Sequence, residues 1–237
     1  MLLNKHFGSV RFIYNWALDY SQKKYKTDGK YLGWMSIATS QDFKNLKIEK
    51  DWLKEINSQS ICNSIAHLGR GFKNFFDGRS GFPKFKSKFD NHQSFEVPAG
   101  LKIDFQKKKI QIPKFLKTRS EDNRIKFVLT RRVKKGKIGT ATISKNPSGQ
   151  YFISFIVHTS EQIKNSIPDA KITKENSLGF DFGLKHFLTL SDGRTIDSPE
   201  YFKNTLNKLA KEQRKLSKKQ KGSKNKEKQR IKVAKVH

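Results

Sequence analysis

The spacing of hydrophobic and polar positions changes twice along the chain. Phe7, Val10, Tyr14, Ala17 and Leu18 recur at helical spacing, with Arg11, Asn15 and Asp19 between them, which predicts an amphipathic helix. Asp28-Gly29 ends it as a turn. A second helix is predicted from Ser36 to Leu46. A third starts near Ser58, with Ile61, Ile65, Leu68 and Phe72 on one stripe and Ser58 or Ser60 as its cap. Such stripes read first as core packing. Helices joined by short turns also allow a helix-turn-helix arrangement.

Between residues 92 and 160 the period shortens to two. Leu101, Ile103 and Phe105 alternate with polar residues, and Ile110 and Ile112 answer them across a basic turn. Ile125 to Val133 alternates with Phe127, Leu129, Arg131 and Val133 on one face. Ile138–Ser144 and Tyr151–Val157 flank Asn146-Pro147-Ser148-Gly149, a hairpin signal. Several short strands with turns predict a small antiparallel barrel or sandwich, either a platform for nucleic acid or a purely structural β-domain. Ahead of it, Gly81-Phe82-Pro83-Lys84-Phe85-Lys86-Ser87-Lys88 alternates base and aromatic, and Pro83 forbids a helix interior. Such a segment fits stacking on bases with lysines on phosphates. It fits equally a basic loop whose phenylalanines pack on the body.

From Asn176 the pattern is apolar again. Ser177 to Leu190 reads as two strands around one acid, Asp181, closing at Ser191-Asp192-Gly193. After Pro199 a helix carries Leu206, Leu209 and Leu216 on one stripe. Gly222-Ser223 interrupts it, and helix resumes near Lys226. A carboxylate in an apolar strand is costly to bury unless it is paired, hydrogen-bonded or bound to a metal. Gly179 and Gly183 let other groups approach the backbone closely. Spacing alone leaves Asp181 as a structural acid or a metal ligand. An acid on the first strand of a hairpin, followed by strand and basic helix, fits the opening of a ribonuclease-H-like nuclease. There, acidic side chains hold Mg²⁺ ions that activate water.

Charge narrows the choice. The 237 residues carry a formal net charge of +29, with 35% apolar and 12% aromatic residues. A core is possible, but self-repulsion favours a polyanionic partner. From Tyr201 to His237 fourteen bases face two acids, giving +12 there and +17 on the residues before. A polybasic tail alone would suit an anionic membrane; a basic body as well suits a groove along a phosphate backbone. The single cysteine, Cys62, excludes an internal disulfide framework and a Cys-rich zinc site. No apolar stretch approaches the roughly 20 residues of a membrane span, and the opening residues break too early for a signal peptide. The expectation is a soluble, cytoplasmic protein that binds nucleic acid and no membrane.

Several segments together carry a family resemblance. They are Phe7 to Leu18, Trp52-Leu53-Lys54-Glu55, Phe75-Phe76, Gly81 to Lys86, Gly179-Phe180-Asp181-Phe182-Gly183-Leu184-Lys185, Ser191-Asp192-Gly193, and Leu216 to Asn225. In order and spacing, over nearly the whole chain, they resemble the TnpB (OrfB) family of transposon-encoded, RNA-guided DNA nucleases. The resemblance implies an α+β architecture. Residues 1–90 would be a helical, helix-turn-helix-like recognition region, 91–170 a β-barrel wedge domain, and 171–237 the start of a RuvC domain of ribonuclease-H fold. It implies two partners, a guide RNA from the transposon end and target DNA with a short adjacent motif. It implies Mg²⁺ as cofactor, with Asp181 matching the first catalytic and metal-binding aspartate. Trp34, Ser58, Gln59 and Cys62 fall where members approach the target-adjacent DNA.

With the basic and aromatic positions, the candidate nucleic-acid contacts are Arg11, Tyr14, Asn15, Trp34, Ser58, Gln59, Lys84, Phe85, Lys86, Arg131, Arg132, Lys185, Arg214, Lys218, Lys219, Lys221 and Lys224. The later RuvC carboxylates, the four-cysteine zinc module and the first wedge strand of the family have no counterpart, so a shortened, catalytically incomplete member is expected, with no zinc. Two alternatives stay open: a non-catalytic RNA- or DNA-binding module, and a degenerate transposase fragment. The sequence sets no oligomeric state.

Overall fold

The computed structural model describes residues 2–90, 92–114, 124–133, 136–159 and 173–236. The chain forms two compact units, Met1–Thr159 and Ser160–His237. The boundaries expected at 90/91 and 170/171 touch residues outside the described set.

The first unit opens with α1 (Leu2–Asp28), ended at Gly29, whose φ of 65° is one that side chains disfavour. The helix expected from Ser36 to Leu46 is two helices, α2 (Trp34–Thr39) and α3 (Gln41–Glu49). Ser40 splits them: its Oγ donates to the Ile37 carbonyl at 2.8 Å and accepts from Phe43 N–H at 3.1 Å. One serine therefore stops one helix and caps the next. A 3-10 turn (Asp51–Glu55) leads into α4 (Ser58–Phe76). The cap of α4 is Asn57, which accepts from Gln59 N–H at 3.0 Å, rather than Ser58 or Ser60. Ser60 lies inside the helix and is 1% exposed.

The strands form small antiparallel sheets. The first has the order β1 (Gln93–Val97), β5 (Lys137–Lys145), β6 (Tyr151–His158), and the second β2 (Lys102–Asp104), β3 (Lys109–Gln111), β4 (Ile125–Lys126). The β2–β3 and β5–β6 hairpins stand where alternation placed them. Two details differ. Strand β1, with only Phe95 and Val97 as apolar signal, pairs along its whole length with β5. The run from Ile125 to Val133 is a strand only through Lys126; beyond it Val128 is 86% exposed. Neither sheet closes into a barrel among the described residues, so the described architecture is a mixed α+β arrangement of helices and open sheets.

Two apolar clusters hold this unit, and α1 runs through both. Its Ile13, Tyr14, Ala17 and Leu18 pack with Ile37, Phe43, Ile65 and Leu68 among the helices. Its Phe7 and Val10 pack with Phe95, Val97, Ile112 and Ile143 on the sheets. Burying a Leu, Ile or Phe side chain contributes about 1.5–3 kcal/mol, so the helix that contributes to both clusters helps tie them together.

The second unit contains a sheet of β7 (Phe180–Asp181), β8 (Leu188–Leu190) and β9 (Thr195–Ile196), then α5 (Tyr201–Ser217) and α6 (Lys224–Val236). Gly222, at φ 83°, makes the break between the helices. Ser223 Oγ accepts from Lys226 N–H at 3.1 Å and starts α6 slightly earlier than the pattern indicated. The helices are joined by a polar bond: Gln229, 6% exposed, donates to the Glu212 carbonyl at 3.1 Å and to its carboxylate at 2.6 Å. No helix among the described residues is long and apolar enough to cross a membrane.

Candidate nucleic-acid interface

The structure brings three of the expected contact residues together. Asn15 on α1 donates from its amide to the Lys86 carbonyl at 2.9 Å and accepts from Lys86 N–H at 2.8 Å. The Lys86 ammonium lies 4.2 Å from the centre of the Tyr14 ring. One asparagine thus satisfies both main-chain groups of a residue 71 positions away. Each such bond contributes about 1 kcal/mol, and the cation–π contact about 0.5–2 kcal/mol. Crowding by the body pushes the Lys86 pKa down, with Asp90 opposing, and burial pushes the Tyr14 pKa up. Arg11 shares a cleft of about 110 Å³ with Lys86, Asp90 and His92.

This joint decides how the Gly81–Lys88 segment lies. Phe82 meets Phe72 and Phe75 edge-on, with ring centres 5.5 and 5.3 Å away, and keeps its other side exposed, while Pro83 sits against Gly71. Lys84 and Phe85 stay exposed. The segment combines both things the sequence allowed: Phe82 rests partly on the body and Phe85 is more exposed. Trp34, 37% exposed, lies on α4 at Gly69, where a Cβ would come 2.8 Å from that of Trp34. Ser58 and Gln59 are exposed on the first turn of α4. Arg131 and Arg132 are exposed past β4, outside any strand.

A polar cluster beside this joint was not visible in the sequence. His67 Nε2 lies 2.9 Å from Glu96 Oε1, Arg70 lies 3.8 Å from the same oxygen, and Asn63 bonds the other. Burial lowers the His67 pKa, and Arg70 and Lys86 add to this while Glu96 opposes it. The only advance signal was the spacing of Asn63, His67 and Arg70 on one helix; their partner sits on the strand that alternation missed.

In the second unit the contact candidates Lys185, Arg214, Lys218, Lys219, Lys221 and Lys224 are all exposed. Asp181 is exposed too, paired in register with Thr189, so it bears no burial cost in this structure. Its surroundings separate it from the acids that follow. Asp192 is bonded by Arg194 at 2.7 Å, Asp197 by His186 at 2.7 Å, Glu200 by Lys203 at 2.5 Å and Glu212 by Lys215 at 2.6 Å; Glu227 lies 3.7 Å from Arg230. Among the described residues Asp181 has no such partner. A Cβ on Gly183 would stand 3.0 Å from the His186 carbonyl, a close approach that glycine permits, whereas at Gly179 the contact would be an ordinary 3.5 Å. No three His, Cys, Asp or Glu among the described residues converge where a metal ion could be held. Asp181 offers a single carboxylate, whereas two-metal hydrolysis needs several acidic side chains around the ions, and no second or third ligand joins it among the described residues.

The described surface is strongly basic on a mixed α+β framework, and the strand carboxylate Asp181 has no ion-pair partner among the described residues; similarity to known proteins adds a family. A family model described as "Probable transposase", OrfB of the IS605 type, matches residues 155–237, and the helix-turn-helix domain of the same family matches residues 1–30. The second match falls on α1 and the turn after it. Across 99% of its length the chain is 31% identical to the Escherichia coli (strain K12) protein named "Putative RNA-guided DNA endonuclease InsQ", covering 54% of that protein. It is 30% identical to a Streptomyces pristinaespiralis protein named "Putative RNA-guided DNA endonuclease", covering 55% of it. The chain belongs to the transposase-associated OrfB (TnpB) family. It spans about half the length of the curated relatives it matches.

Proposed function

We propose that this chain is the nucleic-acid-binding part of an RNA-guided DNA nuclease. The first unit engages a guide RNA from the transposon end and target DNA beside a short adjacent motif. The second carries basic groups of its own and supplies Asp181 as one ligand of a Mg²⁺ site. In this reading the first unit corresponds to a recognition region and barrel-type wedge, the second to the opening of a RuvC domain. The carrying observation is the Asn15–Lys86 joint, which fixes one end of the base–aromatic segment and leaves Lys84 and Phe85 presented. The relatives' names and the charge of +29 support it.

Binding should weaken steeply with salt, with a log–log slope of several units, because each neutralised duplex phosphate contributes roughly 0.9. Fluorescence anisotropy on labelled RNA and DNA across a salt series measures this; a flat response overturns the groove reading. With no second and third ligand converging on Asp181 among the described residues, the chain should bind without cutting. Cleavage of guide-matched DNA in Mg²⁺, lost with Asp181→Ala, would overturn that half.

A further inference from the structure

The first unit exposes an aromatic cluster at the edge of its helical core. Phe72, 4% exposed, is its floor. Around it stand Tyr31, Phe75, Phe76 and Phe82, exposed by 39, 36, 61 and 43%. Their rings hold one another. Tyr31 meets Phe72 edge-on at 4.9 Å and Phe76 at 5.3 Å, while Phe75 meets Phe76 at 5.4 Å and Phe82 at 5.3 Å. Single exposed apolar residues are ordinary; four rings in one patch mark an interaction surface. Edge-to-face contacts fix the ring orientations in advance, so a flat partner would meet them at little ordering cost.

Charge selects the partner. Lys73, one turn before Phe76, and Lys84, two residues after Phe82, are both exposed, and Arg79 lies in the turn between. The acid there, Asp77, is bonded to Arg79 at 2.5 Å. A second copy of this chain would bring its own +29 to the contact and be repelled. Rings rimmed by cations suit a ligand that is flat and anionic at once, as an unpaired nucleotide is. In a duplex the base faces are already stacked on neighbours and are not presented.

We propose that Tyr31, Phe75, Phe76 and Phe82 form a stacking platform for an unpaired base of a nucleic-acid strand, with Lys73 and Lys84 on its phosphates. The proposal rests on the nucleic-acid reading above and adds a strand state and a place.

The test uses the full chain with a short single strand carrying 2-aminopurine, whose fluorescence falls on stacking, and a closed circular duplex without ends as competitor. The native chain should quench the probe. Phe76→Ala and Phe76→Leu should each weaken single-strand affinity about tenfold and leave duplex affinity within about twofold, since the contact is to a base face rather than to phosphate. Phe76→Trp, which keeps fold and π-face, should preserve quenching and guards against a poorly folded alanine variant. Lys73→Ala should weaken both substrates. Full single-strand affinity and quenching in Phe76→Leu would overturn the platform in favour of an apolar protein-docking patch. Equal losses on both substrates in the Phe76 variants would overturn it as well. A native chain that binds neither substrate overturns the nucleic-acid reading itself; one that binds both, with Phe76 variants indistinguishable from it, overturns the platform alone.

Discussion

The two units solve the same problem of charge with different means. Every buried apolar side chain among the described residues belongs to the first unit, from Phe7 to Ile143. In the second, the buried residue is a glutamine, Gln229, while Leu178, Phe180, Phe182, Leu184, Phe187 and Ile196 lie exposed. The first unit can therefore fix its basic groups against a core, as Lys86 is fixed over Tyr14. The second carries its bases on a helix pair joined by a polar bond. Burial of apolar area is the main source of stability, so the units should differ in how firmly they hold their surfaces in place.

The largest test of that contrast is core truncation. Leu68→Ala, at a fully buried site, should cost about 3–5 kcal/mol, whereas Leu184→Ala, fully exposed, should stay within about 0.5 kcal/mol. Urea midpoints measure both, and similar values would break the comparison. Gly69→Ala comes next. Its Cβ would press on the Trp34 stem, so about 1–3 kcal/mol should be lost by overpacking, less the gain of about 1 kcal/mol in helix propensity; urea unfolding followed by tryptophan fluorescence reports it.

Smaller effects sharpen the picture. Asn15→Ala should cost about 1–2 kcal/mol and expose residues 81–90 to faster limited proteolysis while α1 stays protected. Gln229→Ala is its counterpart, and hydrogen exchange should rise in α5 and α6 without change in α4.

The smallest effect is in pH. The His67 pKa is lowered in the folded chain, so the unfolded chain binds that proton more tightly. Its stabilising contribution is complete above the ordinary histidine value of about 6.5 and is lost as pH falls through that value toward the lowered one. His67→Gln should flatten this part of the urea-midpoint profile. Glu212, held low by the Lys215 bond and then by Gln229, acts in a more acidic window. Its contribution is present above the unfolded value of about 4.3 and lost as pH falls through the folded one. Hydrogen exchange of α5–α6 against pH should show loosening there, and Gln229→Ala should reduce it.

Much of the framework was legible in local pattern. The stripes on α1 and α4 and the Asn146–Gly149 hairpin stand where periodicity placed them, because one buried face per element is what periodicity records. The misses were of two kinds. Ser40, whose hydroxyl both ends and begins a helix, hid inside an apparently continuous helical run. Strand β1 and the tail of Ile125–Val133 depended on partners: Phe95 and Val97 find β5, whereas Val128 pairs with no strand among the described residues. Of the candidate contacts, Tyr14, Asn15 and Lys86 became a structural unit only because residues 71 apart in sequence meet.

By itself the sequence determined the helical and strand periods, the turns, the basic excess and the family, since these rest on local spacing, composition and matched order. Tertiary structure alone decided which faces are covered. It pinned Lys86, set Phe82 edge-on against Phe72 and Phe75, left four rings in one open patch, and tied most of the acids after Asp181 to bases while leaving Asp181 without such a partner among the described residues. Local spacing sets what a side chain prefers. Contacts across the chain settle which polar groups are satisfied and which aromatic faces stay free to bind.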